Sequence, residues 1–222
     1  MYYSYLLFDL DGTITESGPG IMNSVRYTLK KMGFAELPSG TLEKFVGPPL
    51  ADSFMKYAGM SQEEATQAIS CYREYYTSKG IFENSVYPGV EEMLQKLKEN
   101  GFVLALSTSK PELFAKKILE HFQINQYFSA ICGASMDEKR VAKAEVIRYT
   151  LDTLKLSESQ KGEILMVGDR EHDVFGAKEN GLDCLGVLYG YGDREELEQA
   201  GAKYIADTAS DVADILINMH SQ

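Results

Sequence analysis

Tyr5-Leu6-Leu7-Phe8-Asp9-Leu10-Asp11-Gly12-Thr13 is a short apolar run that ends on two carboxylates, two residues apart, and then a glycine. A run of this length with no polar alternation reads as a strand buried on both faces. Four further runs end in the same abrupt way. Phe102–Leu106 stops at Ser107-Thr108-Ser109, Ala130–Cys132 at Gly133, Ile164–Val167 at Gly168-Asp169, and Leu182–Leu188 at Tyr189-Gly190. A weaker one lies at Lys203-Tyr204-Ile205. Between them lie helical stripes. Val90, Met93, Leu94 and Leu97 follow the helical period after Pro88-Gly89 and stop at Gly101; Phe114, Ile118, Leu119 and Phe122 form a second stripe, and Val146, Ile147, Thr150, Leu151 and Leu154 a third. Strand–helix–strand alternation predicts an α/β fold with a doubly wound parallel sheet covered on both faces.

One segment interrupts the alternation. From about Ser17 to Ile81 the sequence offers helical stretches near Ile21–Met32, Leu50–Ala58 and Gln62–Ser78 and no convincing strand. It reads as an inserted all-helical domain. The expected division is a core of residues 1–15 and 85–222 and an insertion of residues 16–84.

Composition narrows the function. The 222 residues carry 44% hydrophobic and 25% charged residues, which is globular composition and argues against disorder. Acidic residues number 33 against 22 basic ones, a formal charge of −11. Such a balance argues against nucleic-acid polymers and anionic membranes as partners, while leaving room for a small anionic substrate. No stretch approaches the roughly 18–20 apolar residues of a membrane span. Met1–Asp11 has no basic start and does not read as a signal peptide. Cys71, Cys132 and Cys184 form no CxxC pair and read as reduced thiols, which points to the cytoplasm.

In an open parallel sheet, ligands sit at the carboxyl ends of the strands. Those ends carry Asp9 and Asp11, then Ser107-Thr108-Ser109-Lys110, then Asp169 and Asp173. A strand period of two aims Asp9 and Asp11 to the same side, where their charges repel. A divalent cation would relieve that repulsion. Oxygen donors without a nitrogen or sulfur cluster favour Mg²⁺ over zinc, and His121, His172 and His220 show no ligand spacing. Arg170, Glu171 and His172 read as surface.

Taken together, FDLDGT at Phe8–Thr13, LALSTSKP at Leu104–Pro111 and VGDREHD at Val167–Asp173 resemble, in order, motifs of the haloacid dehalogenase-like superfamily, which is mostly phosphohydrolases. The resemblance spans essentially the whole chain and includes a helical cap between the first and second motifs. It implies that Asp9 is a nucleophile that forms an aspartyl-phosphate, and that Asp11 is the acid and base for leaving group and water. It implies phosphate binding by Thr108, with Ser107 as the neighbouring alternative, by Ser109, and by a lysine at a helix start. Lys143 suits that lysine, with Lys139 as the alternative. It also implies Mg²⁺ held by Asp9, Asp11 through its carbonyl, Asp169 and Asp173. A cap that closes over substrate on hinges near Ser17 and Ser85 is expected, with Glu16 and Gly47 as cap or substrate residues.

The second acidic residue of the first motif, Asp11, favours phosphatases over dehalogenases of this superfamily. Sugar-phosphate mutases carry a histidine and an arginine where this chain has Ile21 and Leu50, so a mutase is the weaker alternative. Glu16–Ile21 and Phe45–Leu50 resemble phosphoglycolate-phosphatase-like and 5′-nucleotidase-like members. A receiver-like phosphate-binding module shares the acidic pocket, but by analogy needs only about 120 residues and no cap. The resulting expectation is a cytoplasmic, monomeric or homodimeric phosphomonoesterase acting on a small phosphorylated metabolite.

Overall fold

In the computed structural model, which describes residues 3–137 and 139–220, each apolar run read as a strand forms one. Met1 and the side chain of His220, both used in reading the sequence, fall outside the described residues. In chain order the strands are β1 (Tyr5–Phe8), β2 (Thr15–Glu16), β3 (Ser85–Val86), β4 (Val103–Pro111), β5 (Ala130–Ala134), β6 (Ile164–Gly168), β7 (Asp183–Val187) and β8 (Tyr204–Ala206). The helices are α1 (Gly18–Met32), α2 (Ser39–Leu42), α3 (Leu50–Ala58), α4 (Gln62–Ser78), α5 (Val90–Glu99), α6 (Glu112–His121), α7 (Lys143–Thr153), α8 (Glu171–Glu179), α9 (Arg194–Ala200) and α10 (Ala209–His220). The chain divides into two compact units. One runs to Thr15 and resumes at Val86; the other is Glu16–Ser85.

Six strands of the first unit form a sheet in the order β5-β4-β1-β6-β7-β8, with every pairing parallel. Leu7 lies level with Ala105 on one side and Met166 on the other. These residues share a buried cluster with Ile147 and Leu151 of α7, Val174 and Ala177 of α8, and Leu197 of α9. The intervening residues Leu6, Phe8, Leu104, Leu106, Leu165 and Val167 are buried as well, so both faces are covered. After β1 the chain reaches β4 and β5 on one side, then β6, β7 and β8 on the other. The order therefore reverses at β1, and the crevice outside its carboxyl end is where such a sheet offers a binding site.

The structure departs from the sequence expectation in several places, among them the two-residue strands β2 and β3, which are too short for a pattern to show. β4 does not stop at Ser107 but continues to Pro111, with its register against β5 shifted between Thr108 and Pro111. The polar Ser-Thr-Ser-Lys stretch hides this extension from an apolar-run criterion. The short α2 and the 3₁₀ turn Glu43–Phe45 were also not anticipated, since pieces this short carry no periodicity.

The second unit is helical. α4 starts on a reciprocal cap, in which Ser61 Oγ accepts from the Glu64 N–H at 3.3 Å and Glu64 Oε2 accepts from the Ser61 N–H at 2.8 Å. Val25 and Leu29 of α1, Phe54 of α3, and Ala65, Ala68 and Tyr72 of α4 are buried in it, with Phe45 edge-on to Phe54 at 5.2 Å. Among the described residues, no helix is long and apolar enough to cross a membrane.

Leu7 is fully buried at the middle of the central strand. Leu7→Ala should therefore lower the unfolding free energy by about 2–5 kcal/mol through lost burial and an unfilled cavity. Denaturant titration measures this; a loss under about 1 kcal/mol would contradict the central place given to β1.

Candidate active site

Asp9 follows the last residue of β1, where its N–H donates to Val167 O at 2.9 Å. The backbone then turns at Gly12, which has φ of +85° and lies so close to Asp169 that a Cβ would collide with that carboxylate. The same turn brings Thr13 Oγ1 to donate to Asp169 Oδ1 at 3.3 Å, while the Tyr191 N–H donates to Asp169 Oδ2 at 2.8 Å. Tyr189 OH donates to Thr13 O at 3.1 Å, tying the loop after β7 to the turn after β1. Gly190 in that loop passes against the Asp169 side chain with no room for a Cβ.

Lys143 is the first residue of α7. Glu145 holds this helix start by accepting from the Val141 and Ala142 N–H groups at 3.0 and 3.2 Å. Its Nζ lies 2.8 Å from Asp9 Oδ1 and 2.7 Å from Asp173 Oδ1, and donates to Ser107 O at 3.3 Å. Asp173, in the first turn of α8, also accepts from the Arg170 N–H at 3.2 Å. The alternative lysine, Lys139, has a side chain 85% exposed and faces Asp137 instead.

Thr108 is buried, and its side chain stands close enough to Asp9 to favour the ionised carboxylate. Ser107 turns the other way, into the core, where its Oγ accepts from Thr150 Oγ1 at 3.0 Å. Ser109 is half-buried. Glu16, which is exposed, and Gly47, which has φ of +100°, belong to the helical unit and not to the unit that carries these carboxylates.

Asp9 and Asp11 meet different lysines: Asp9 pairs with Lys143, whereas Lys110 Nζ lies 2.9 and 2.8 Å from the two oxygens of Asp11. Lys110 lies inside the second motif, and its partner is 99 residues away in the chain. Arg170 is not a free surface residue, because its Nε is 2.7 Å from Glu196 Oε1 and it is half-buried.

Carboxylate oxygens of Asp9, Asp169 and Asp173 lie within 4.8 Å of one another, and all three residues are buried. Burial is the largest influence on Asp9 and raises it; Lys143 opposes and Asp173 reinforces, leaving Asp9 pushed up to about 6. Burial, then the Asp173 and Asp9 charges, drive Asp169 well above the carboxylate range. Burial pulls Lys143 down, but Asp173 and Asp9 outweigh it and hold its ammonium above the ordinary lysine range. Three crowded carboxylates with one lysine among them are a donor set that fits a hard divalent cation.

A family model described as haloacid dehalogenase-like hydrolase matches residues 6–187. The chain is 41% identical over 209 residues to a protein of Pseudomonas aeruginosa named 5′-nucleotidase, covering 94% of this chain and 93% of that one. It is 38% identical over 206 residues to the Mycobacterium tuberculosis protein named tyrosine-protein kinase PtkA, covering 92% and 69%. A phosphoglycolate phosphatase of Vibrio cholerae is 27% identical over 220 residues, covering 96% of each chain. Among solved structures, a predicted phosphatase from Clostridium acetobutylicum superposes with a TM-score of 0.93 at 47% identity, covering 98% of this chain and all of that one.

The raised Asp9 gives a pH prediction for protein stripped of divalent cations. A carboxyl with a folded-state value near 6 binds its proton more tightly folded than unfolded. The stability this lends is complete below about pH 4 and is lost as pH rises through about 6. Asp9→Asn cannot lose it. The stability of Asp9→Asn relative to wild type should therefore increase between about pH 4 and pH 6 and then level off. Thermal melts across that range test this; a difference independent of pH would contradict it.

Proposed function

This chain belongs to the haloacid dehalogenase-like hydrolase family and is a phosphatase of phosphoric monoesters, and from that premise we propose that it hydrolyses small phosphometabolites through an aspartyl-phosphate on Asp9. The observation that carries this is the setting of Asp9. Its carboxylate meets Lys143, with Thr108 close by, two donors suited to phosphoryl oxygens, and lies beside the Asp169 and Asp173 carboxylates.

Asp9, Asp169 and Asp173, with the carbonyl of Asp11, would hold Mg²⁺, which when bound offsets charge on the phosphoryl group. In the first step an Asp9 oxygen forms a bond to phosphorus while the bond to the leaving oxygen breaks. That oxygen keeps the electron pair and takes a proton from Asp11. In the second step water attacks phosphorus, the Asp9–phosphorus bond breaks, and Asp11 takes the proton from the water. Thr108, Ser109 and Lys143 steady the phosphoryl oxygens in both steps. The cytoplasm is the proposed compartment, and the chain acts as a monomer or homodimer. Specificity is assigned to the helical unit acting as a cap, with Glu16 and Gly47 as the residues to vary.

Nucleoside monophosphates are the leading substrates, supported by the 41% identity to a protein named 5′-nucleotidase. Phosphoglycolate is second, supported by the more distant relative of that name. The relative named as a tyrosine kinase favours one other reading, transfer of the phosphoryl group to an acceptor other than water.

A panel of nucleoside monophosphates, phosphoglycolate and sugar phosphates, ranked by kcat/KM from released phosphate, tests the assignment. Release should stop in excess chelator and return with Mg²⁺. Asp9→Asn should retain less than about 1% of wild-type turnover. Full activity in chelator would overturn the metal assignment, and substantial activity in Asp9→Asn the nucleophile.

A further inference from the structure

Lys110 has no part in the two steps above, yet it is as buried as the groups that do. Its side chain is 5% exposed and that of Asp11 is 9% exposed. A lysine at the surface gains little from such a partner, whereas a buried ammonium persists only where a charge meets it in good geometry. Here one Nζ spans both Asp11 oxygens, at 2.9 and 2.8 Å. The terminal torsion of an aspartate is otherwise soft and broad, and a cation across both oxygens fixes the plane of the carboxylate. Lys110 is itself held in place. β4 shifts register between Thr108 and Pro111, and the Lys110 N–H donates to Thr108 Oγ1 at 3.2 Å. The same stretch of backbone thus carries Thr108 and sets the Lys110 ammonium against Asp11.

We propose that Lys110 is a positioning residue that holds the ionised Asp11 carboxylate in the plane from which it takes the proton of the attacking water. This rests on the assignment of Asp11 as the base of the second step. In that step the water oxygen bonds to phosphorus, the Asp9 oxygen leaves with its electron pair, and the water proton passes to Asp11. Lys110 keeps its protons throughout. Its contact is with a carboxylate, the form Asp11 has when water is activated. Breakdown of the aspartyl-phosphate is therefore the step that depends on it.

The test is pre-steady-state hydrolysis of 4-nitrophenyl phosphate with Mg²⁺, a substrate whose departure needs little acid assistance. Lys110→Met should release close to one equivalent of nitrophenol per enzyme in a rapid burst. Steady turnover should then be about 100-fold below wild type, the scale of a misplaced general base. Lys110→Arg should recover part of the steady rate. A raised KM without a burst would make Lys110 a substrate contact, and equal slowing of burst and steady phases would make its role structural; either result overturns the proposal.

Asp11→Asn serves as the reference. If it shows no burst, the assignment of Asp11 fails, whatever Lys110 does. If it bursts and Lys110→Met does not, the proposal about Lys110 fails alone. Should Lys110→Met not fold, the double variant Asp11→Asn/Lys110→Met removes both charges together. It should match Asp11→Asn in burst and steady rate. A further loss in the double variant would overturn the positioning role.

Discussion

Four carboxylates, Asp9, Asp11, Asp169 and Asp173, are buried, and two lysines stand among them. Like charges removed from water at such spacing drive one another toward protonation, as Asp9 and Asp169 show. The cluster persists because the surrounding backbone and side chains over-determine it. Thr13 and the Tyr191 N–H hold Asp169, the Arg170 N–H holds Asp173, and Lys143 lies between Asp173 and Asp9. Two lysines are shared among the four carboxylates. That donor set could hold a divalent cation.

The sheet makes the convergence possible. β4, β1 and β6 are neighbours, all parallel, so their carboxyl ends lie side by side. Each delivers part of the constellation: Thr108 and Lys110 from β4, Asp9 and Asp11 from the end of β1, Asp169 from the end of β6. Helix starts supply the rest, Lys143 at the head of α7 and Asp173 in the first turn of α8. Both positions lie at the start of a helix that packs on the sheet, so burial of Ile147, Leu151, Val174 and Ala177 fixes the charged groups above them. The apolar face and the chemistry are thus two ends of the same elements.

Much of this is legible in the sequence, for physical reasons. Buried parallel strands are continuous apolar runs, and a carboxylate can follow only where the run leaves the core. Asp9 and Asp169 therefore mark strand ends without any structure. The helical unit is visible because its stripes have a period near 3.6 and no strand interrupts them. Lys110 is not legible, because nothing local separates a lysine that snorkels to water from one that turns inward; its partner is 99 residues away. Arg170 hides its partner Glu196 in the same way. Lys143 and Lys139 are likewise separated only by the fold, which caps α7 with Glu145 and leaves Lys139 in solvent. The loop at Tyr189–Tyr191 follows a strand end, which marks it in the sequence as a border of the site; its hold on Asp169 is through a backbone N–H, which no side chain announces.

The central claim is that the phosphoryl group passes through Asp9. Quenching the protein during turnover and reducing it with borohydride converts an aspartyl-phosphate to homoserine, which peptide sequencing by mass spectrometry locates. The account predicts homoserine at position 9, dependent on substrate and absent without it. Homoserine at another aspartate would contradict it, as would an unmodified position 9 in protein quenched while an Asp11→Asn variant is turning over a substrate with a good leaving group.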